Sequence, residues 1–380
     1  MNSGLLAPLK GGDYTLRAGF LHNARSLPSV TDMTTDHGPE SFVDPYLGLS
    51  WGELGALRSA TRSDAGLQVQ LSLGYPALGL RERWIAELSD FTGQQVALEV
   101  SFEPPSLSAG QGVQGVRNIV AVASGKGGVG KSTTAVNLAL ALAHEGARVG
   151  LLDADIYGPS VGIMLGVPAG KKPEVADGKY FIPIEAHGLQ AMSMSFLVTK
   201  ETPMVWRGPM ASGALQQMLG QTLWNDLDYL IVDMPPGTGD IQLTLAQKAA
   251  VAGAVIVTTP QDLALQDASK GVEMFRKVNV PVLGVVENMA LHICPNCGHT
   301  SHIFGSGGGE RIARDYQTVL LGSLPLASDI RTQTDAGRPT VAEQPDGEVA
   351  ALYRDAARHL AARLWALAGE QPARPSINLG

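Results

Sequence analysis

The stretch 125 GKGGVGKST 133 decides how the rest of the chain is read. It fits G-x-x-x-x-G-K-[ST] and stands between an apolar run, 118 NIVAVAS 124, and a helical stretch, 132 STTAVNLALALAHEG 146. That setting separates a phosphate-binding loop from a glycine-rich turn with an incidental lysine. Gly125, Gly127, Gly128 and Gly130 let the backbone curl until successive N–H groups point at one phosphate. The helix opening near Lys131 adds its positive dipole end. The spacing directs Lys131 to the β- and γ-oxygens of a nucleoside triphosphate and gives Ser132 a hydroxyl for Mg²⁺, with Val129 and Thr133 completing the cradle.

Outward from this loop one rhythm repeats. Short apolar runs read as strands at 118 NIVAVAS 124, 148 RVGLLD 153, 228 DYLIVD 233, 254 AVIVTT 259, 281 PVLGVVE 287 and 319 VLLGSLP 325. They are apolar on both faces and rich in β-branched residues, and helical stretches at 132–146, 210–223 and 263–278 separate them. This predicts an α/β fold of the P-loop NTPase kind, a mostly parallel sheet covered by helices on both faces. Upstream, 67 LQVQLSLGY 75 alternates as a half-buried strand does, 81 RERWIAELSDF 91 has helical spacing, and 96 VALEVSF 102 reads as another strand. The expected organisation is a flexible extension over 1–39, a small α+β domain over 40–103, a Ser-, Gly-, Gln- and Pro-rich linker over 104–116, the P-loop domain over 117–370, and a flexible tail over 371–380. Met33 is a second possible start, because 33 MTTDHGPESFVDPYLG 48 leads directly into the small domain.

Carboxylates and amides fall where parallel strands end, which is where ligands bind in such sheets. The strand 148 RVGLLD 153 leads into 153 DADIYGPS 160, placing Asp153 and Asp155 at that edge. The strand 228 DYLIVD 233 closes on Asp233, as a Walker B strand does. The following 235 PPGTGD 240 can swing the Gly237 N–H towards a γ-phosphate. The run 285 VVENM 289 carries Asn288 to the same edge.

A second lysine in the loop, Lys126, makes 126 KGGVGKST 133 resemble the deviant Walker A of the MinD/ParA/nitrogenase-iron-protein class of ATPases. The resemblance implies ATP as ligand and a homodimer, Lys126 crossing to the partner's nucleotide beside the catalytic Lys131. It also implies Asp155 as the residue that orients the attacking water, and Asn288 as a partner for the adenine edge. Together, 153 DADIYGPS 160, 233 DMPPGTGD 240, 285 VVENM 289 and a C-x-x-C soon after resemble the Mrp/ApbC family of iron–sulfur cluster carrier ATPases from about Arg117 to Ala342. Upstream, 43 VDPYLG 48 and 72 SLGYPALGLRERW 84 look like the small domain that often precedes the ATPase in bacterial members. That domain often carries a reactive cysteine. Here it holds none, so an adaptor or packing role is expected of it.

The chain's two cysteines both lie in 291 LHICPNCGHTSHIFGSGGG 309, as Cys294 and Cys297. A zinc site drawn from this pair and two of His292, His299 and His302 has suitable ligand types, although its second pair is crowded. A redox dithiol wants its first cysteine at a helix N-terminus. An iron–sulfur cluster wants four thiolates, and one chain supplies two. The dimer implied by Lys126 supplies four, so the resemblance favours one 4Fe–4S cluster shared between two chains, for transfer to apo iron–sulfur proteins from cluster scaffold proteins.

Composition narrows the rivals. The net charge is −8 without any basic block, so nucleic acid is not an expected partner. No apolar run spans a bilayer and no signal-peptide order opens the chain, which with two cysteines predicts the cytoplasm. A MinD/ParA-like positioning ATPase is the alternative function, because 349 VAALYRDAARHLAARLWALAG 369 places Val349, Leu352, Ala356, Leu360 and Leu364 on one face of a possible membrane-surface helix. A terminal helix packed on the sheet explains the same pattern. The reductase component of a nitrogenase-like enzyme is a second rival, but it draws its cysteines from widely separated segments.

Overall fold

Alternation of apolar and polar residues builds the first of two sheets. A computed structural model describes residues 38–64, 66–107, 112–197, 208–294 and 296–370. The expected extension (with Met33 inside it) therefore lies almost wholly outside the described residues, and the expected tail does so entirely. Three strands, β1 (Leu57–Ser63), β2 (Gly66–Leu73) and β3 (Val96–Phe102), form a sheet in that order. In β2, Leu67, Val69, Leu71 and Leu73 point into the core, and Gln68 and Gln70 face out. The helix Arg81–Thr92 buries Trp84 and Leu88, and Trp84 meets Trp51 edge-on with ring centroids 5.6 Å apart. The strand β1 has no apolar alternation to announce it. Its LRSATRS lies mostly exposed at the sheet edge.

The second sheet holds nine strands among the described residues. These are β4 (Val116–Ala123), β5 (Val149–Asp153), β8 (Ile184–Ala186), β9 (Leu189–Ser193), β10 (Leu227–Asp233), β11 (Gly253–Thr258), β12 (Val282–Ile293), β13 (Thr300–Ser301) and β14 (Leu320–Pro325). Between β5 and β8, β6 (Val175–Ala176) and β7 (Tyr180–Phe181) make a separate antiparallel ribbon. The order is β13-β12-β11-β4-β10-β5-β9-β8, with β14 also paired to β12. Only β8 and β13, each at an end of that order, are antiparallel to their neighbours. All seven residues of β10 are buried, as a strand covered on both faces requires.

Two helices cover one part of this sheet, and their alanines let them approach closely. Lys131–His144 buries Ala135 through Leu142, and the terminal helix Glu348–Glu370 buries Ala350, Tyr353, Ala356, Ala357, Leu360 and Leu364. The face that suggested a membrane surface is thus largely committed to the protein, with Ala356, Leu360 and Leu364 fully covered. No helix among the described residues is long and apolar enough to cross a membrane.

Polar contacts fix the small sheet to these helices. Glu145, buried at the end of the helix Lys131–His144, pairs with buried Arg358 at 2.5 Å and accepts the Gly79 N–H at 2.9 Å. Tyr46 donates to Asp355 at 2.8 Å. Between the sheets, Asn118 donates to the Pro105 carbonyl at 2.6 Å and accepts from the Leu107 N–H at 3.3 Å.

Beside the functional edge, two differences from expectation matter. The strand expected over 281–287 runs on to Ile293, because its outer half pairs Leu291 with Pro325 and His292 and Ile293 with Ser301 and Thr300. The strand β9 was not foreseen, since its short run sits among turns.

Candidate functional site

The parallel register places the polar groups side by side. Val122 on β4 is opposite Asp233 on β10, Asp233 is opposite Asp153 on β5, and Asp153 is opposite Ser193 on β9. Immediately beyond β4 the chain turns through Gly125–Gly130 into the helix that starts at Lys131.

That loop is held by side chains around it. The Ser124 hydroxyl donates to the Lys126 carbonyl at 2.8 Å, Thr134 to the Gly130 carbonyl at 2.9 Å, and the Asn288 amide to the Val129 carbonyl at 2.9 Å. Gly130 has φ +82°, and a Cβ there would lie 2.1 Å from the Asn288 Nδ2. At Gly127 and Gly128 a Cβ would meet nothing within 4 Å, and both glycines are exposed. Lys126 and Thr133 are half-buried beside it.

Lys131 is buried and paired with Asp233 Oδ1, and its ammonium also donates to Ser132 Oγ at 3.2 Å. Burial holds the Asp233 carboxyl above the usual range, against the pull of the Lys131 ammonium and the Ser132 hydroxyl. The other Asp233 oxygen, Oδ2, is buried without a hydrogen-bond partner. An unpartnered carboxylate oxygen near a serine hydroxyl is the hard-oxygen donor set that suits Mg²⁺.

Asp153 is fully buried and is pushed up to about 7, first by burial and then by the charge of Asp233. Its oxygens accept from the N–H groups of Asp155, Ser160 and Val161 and from the Ser193 hydroxyl. Asp155 is half-buried and accepts the Gly158 N–H at 3.1 Å. Gly237, with φ +98°, donates its N–H to the Ser124 carbonyl at 2.9 Å. The loop carrying it is therefore joined directly to the end of β4. The Asn288 Oδ1 accepts its neighbour's Met289 N–H at 3.0 Å, and one hydrogen of its amide remains beyond the bond to Val129.

The cysteines sit further along β12, on the turn that joins it to β13. Both are free thiols, Cys294 half-buried and Cys297 exposed. Backbone N–H groups of Asn296 and Cys297, and then the Cys297 thiol, hold Cys294 below the usual thiol range. His292 and His302 are bonded through Nδ1 to the carbonyls of Leu326 and Ala290. Among the described residues no group of three or more His, Cys, Asp or Glu is placed to hold a metal ion. Ile293 and Ile303, both about half exposed, flank the turn.

The glycine cluster downstream has a packing explanation. A Cβ at Gly308 would press on Leu265, and one at Gly309 on Glu287 and Leu320. Glu287, buried on β12, accepts the Gly309 N–H at the start of the helix Gly308–Asp315. Sequence reasoning missed Ser193 and Glu287. Glu287 stood inside a quoted run but looked like an ordinary strand end, and Ser193 lay on a strand that was not foreseen.

Residues 115–361 match the family described as ParA, NUBPL iron-transfer P-loop NTPase. An iron-sulfur cluster carrier protein of Pseudomonas fragi is 64% identical over 274 residues, covering 72% of this chain and 96% of its own length. The iron-sulfur cluster carrier protein of Escherichia coli (strain K12) is 53% identical over 333 residues, covering 86% of this chain and 90% of its own. A solved nucleotide-binding protein from Archaeoglobus fulgidus, in complex with ADP, superposes with a TM-score of 0.54 at 39% identity, covering 62% of this chain and 90% of that one. A phosphate loop in its structural setting, a free cysteine pair and these matches agree: the chain belongs to the NUBPL iron-transfer P-loop NTPase family of the ParA group.

Proposed function

We propose that the chain is an ATP-hydrolysing carrier that holds one 4Fe–4S cluster across a homodimer and passes it to apo iron–sulfur proteins. The observation that carries this reading is the isolation of the cysteine pair. Cys294 and Cys297 stand free on a turn, and no third ligand group accompanies them among the described residues. Four thiolates then require two chains, and a two-fold axis supplies both pairs from the same patch on each. The relatives named as cluster carriers support the cargo.

The nucleotide end has its roles in the same scheme. The backbone of Gly125–Gly130 cradles phosphate, Lys131 leaves Asp233 for the β- and γ-oxygens, and Lys126 reaches the partner's nucleotide. Ser132 and the unpartnered Asp233 oxygen would hold Mg²⁺, whose bound charge neutralises phosphate oxygens. Asp155 orients the attacking water, and the second amide hydrogen of Asn288 faces the adenine edge. The Gly237 N–H exchanges the Ser124 carbonyl for the γ-phosphate and so reports nucleotide state along the sheet edge. The small domain over 40–103 serves as an adaptor, and cluster scaffold proteins of the cytoplasm supply the cargo.

Lys131→Ala tests the division of labour. After anaerobic reconstitution it should hold the same cluster as the wild type, while hydrolysing no ATP and delivering poorly to an apo 4Fe–4S protein. Delivery at the wild-type rate would remove ATP from the scheme.

A further inference from the structure

We propose that Ser193 is a positioning residue for ATP hydrolysis. Its hydroxyl sets the Asp153 carboxylate and, through it, the 154–160 loop that carries Asp155. This rests on the reading of Asp155 as the group that orients the attacking water.

Asp153 is fully buried, and among the described residues four hydrogen bonds reach its carboxylate from two directions. Three donors belong to the loop and the residue that follows it: the N–H groups of Asp155 at 3.1 Å, Ser160 at 3.0 Å and Val161 at 3.1 Å. The fourth, the Ser193 hydroxyl at 3.0 Å, belongs to the neighbouring strand. Strand register fixes Ser193 opposite Asp153, and Asp233 lies opposite Asp153 on the other side. Repulsion from Asp233 and attraction to Ser193 therefore act on the carboxylate in the same direction. A carboxylate held that way presents its oxygens to the loop in one orientation.

The hydrogen inventory settles the direction of the bond. The Ser193 oxygen accepts from the Ser195 N–H at 3.2 Å, and the Ser195 hydroxyl lies 2.8 Å from it. With Asp153 ionised, its carboxylate only accepts, so the single Ser193 hydrogen goes to Asp153, and the hydrogen between the two serines comes from Ser195. Ser195 thereby holds Ser193 as Ser193 holds Asp153. The serine also caps the short turn Met194–Phe196. A merely structural role is therefore the competing explanation, and kinetics must separate the two.

The test measures steady-state ATP hydrolysis and, separately, equilibrium binding of a fluorescent ADP analogue by the full chain. Ser193→Ala should lower kcat about tenfold and leave nucleotide affinity within about twofold, the signature of a misplaced catalytic loop over an intact phosphate site. Ser193→Cys keeps the bulk with a weaker donor, so its kcat should fall between the two; it also serves if the alanine variant fails to fold. Ser195→Ala should have a smaller effect, because its N–H to Ser193 remains. An unchanged kcat overturns the proposal, and so does a kcat that falls in parallel with affinity. Absence of hydrolysis by the wild-type chain would overturn the proposed function and this role with it, whereas wild-type hydrolysis beside an indifferent Ser193→Ala overturns the positioning role alone.

Discussion

The phosphate loop and the cysteine turn are served by the same strand and built in opposite ways. At Asn288 the strand β12 is buried, and its side chain joins Ser124 and Thr134 in fixing the loop carbonyls. Six residues further on, at most about 20 Å along an extended chain, Cys294 opens a turn that also carries Cys297 and is closed by backbone bonds between Cys294, His299 and Gly298. The first region is shaped by contacts within one chain. The second offers two thiols and half-exposed Ile293 and Ile303, and under the proposed function a second chain completes it. A site divided between chains can open when the chains move, as a carrier needs.

That contrast breaks first at the cysteines. Cys294→Ser or Cys297→Ser should lose the whole cluster after anaerobic reconstitution, while the thermal midpoint moves by no more than about 2 °C, as expected for a surface turn. Cluster retained by the double variant would contradict shared ligation. Gly130→Ala should act on the other region alone. A Cβ 2.1 Å from the Asn288 amide, at φ +82°, displaces the loop. ATP affinity by titration calorimetry should fall about 100-fold with iron content unchanged.

Asn288→Ala is a gentler probe of the same region. Losing the bond to the Val129 carbonyl should weaken ATP binding about tenfold. The smallest effect is the pH dependence of Asp153. Its carboxyl is pushed up to about 7 in the folded chain, against about 3.9 unfolded, with Asp233 facing it and Lys131 paired to Asp233. Between those values the folded chain keeps a proton that the unfolded chain has released. The resulting contribution to stability is complete below about pH 4 and is lost as pH rises through about 7. Asp153→Asn should flatten the decline in stability between about pH 6 and 7, by about 1 kcal/mol in urea unfolding; equal slopes would contradict the assignment.

Much of the nucleotide end was legible because its chemistry is local. The run from Gly125 to Thr133 carries its own spacing, and an apolar strand ending in Asp233 carries its own burial pattern. The bond from Asn288 to Val129 was not legible, since it joins positions far apart in sequence through the parallel register. Ser193 was hidden for the same reason, and β1 because an exposed edge strand needs no apolar alternation. The outer half of β12 was missed because its partners are short β13 and the end of β14. The glycines at 305–309 gave a strong signal with a packing and backbone cause: Gly308 and Gly309 lie close against Leu265 and Glu287, and Gly305 and Gly307 adopt positive φ.

The direct measurement is anaerobic purification of the full chain, with iron and acid-labile sulfide counted against native mass. A shared site should give about four iron and four sulfide per two chains, in a particle with the mass of a dimer. A full cluster on a particle with the mass of one chain would contradict it.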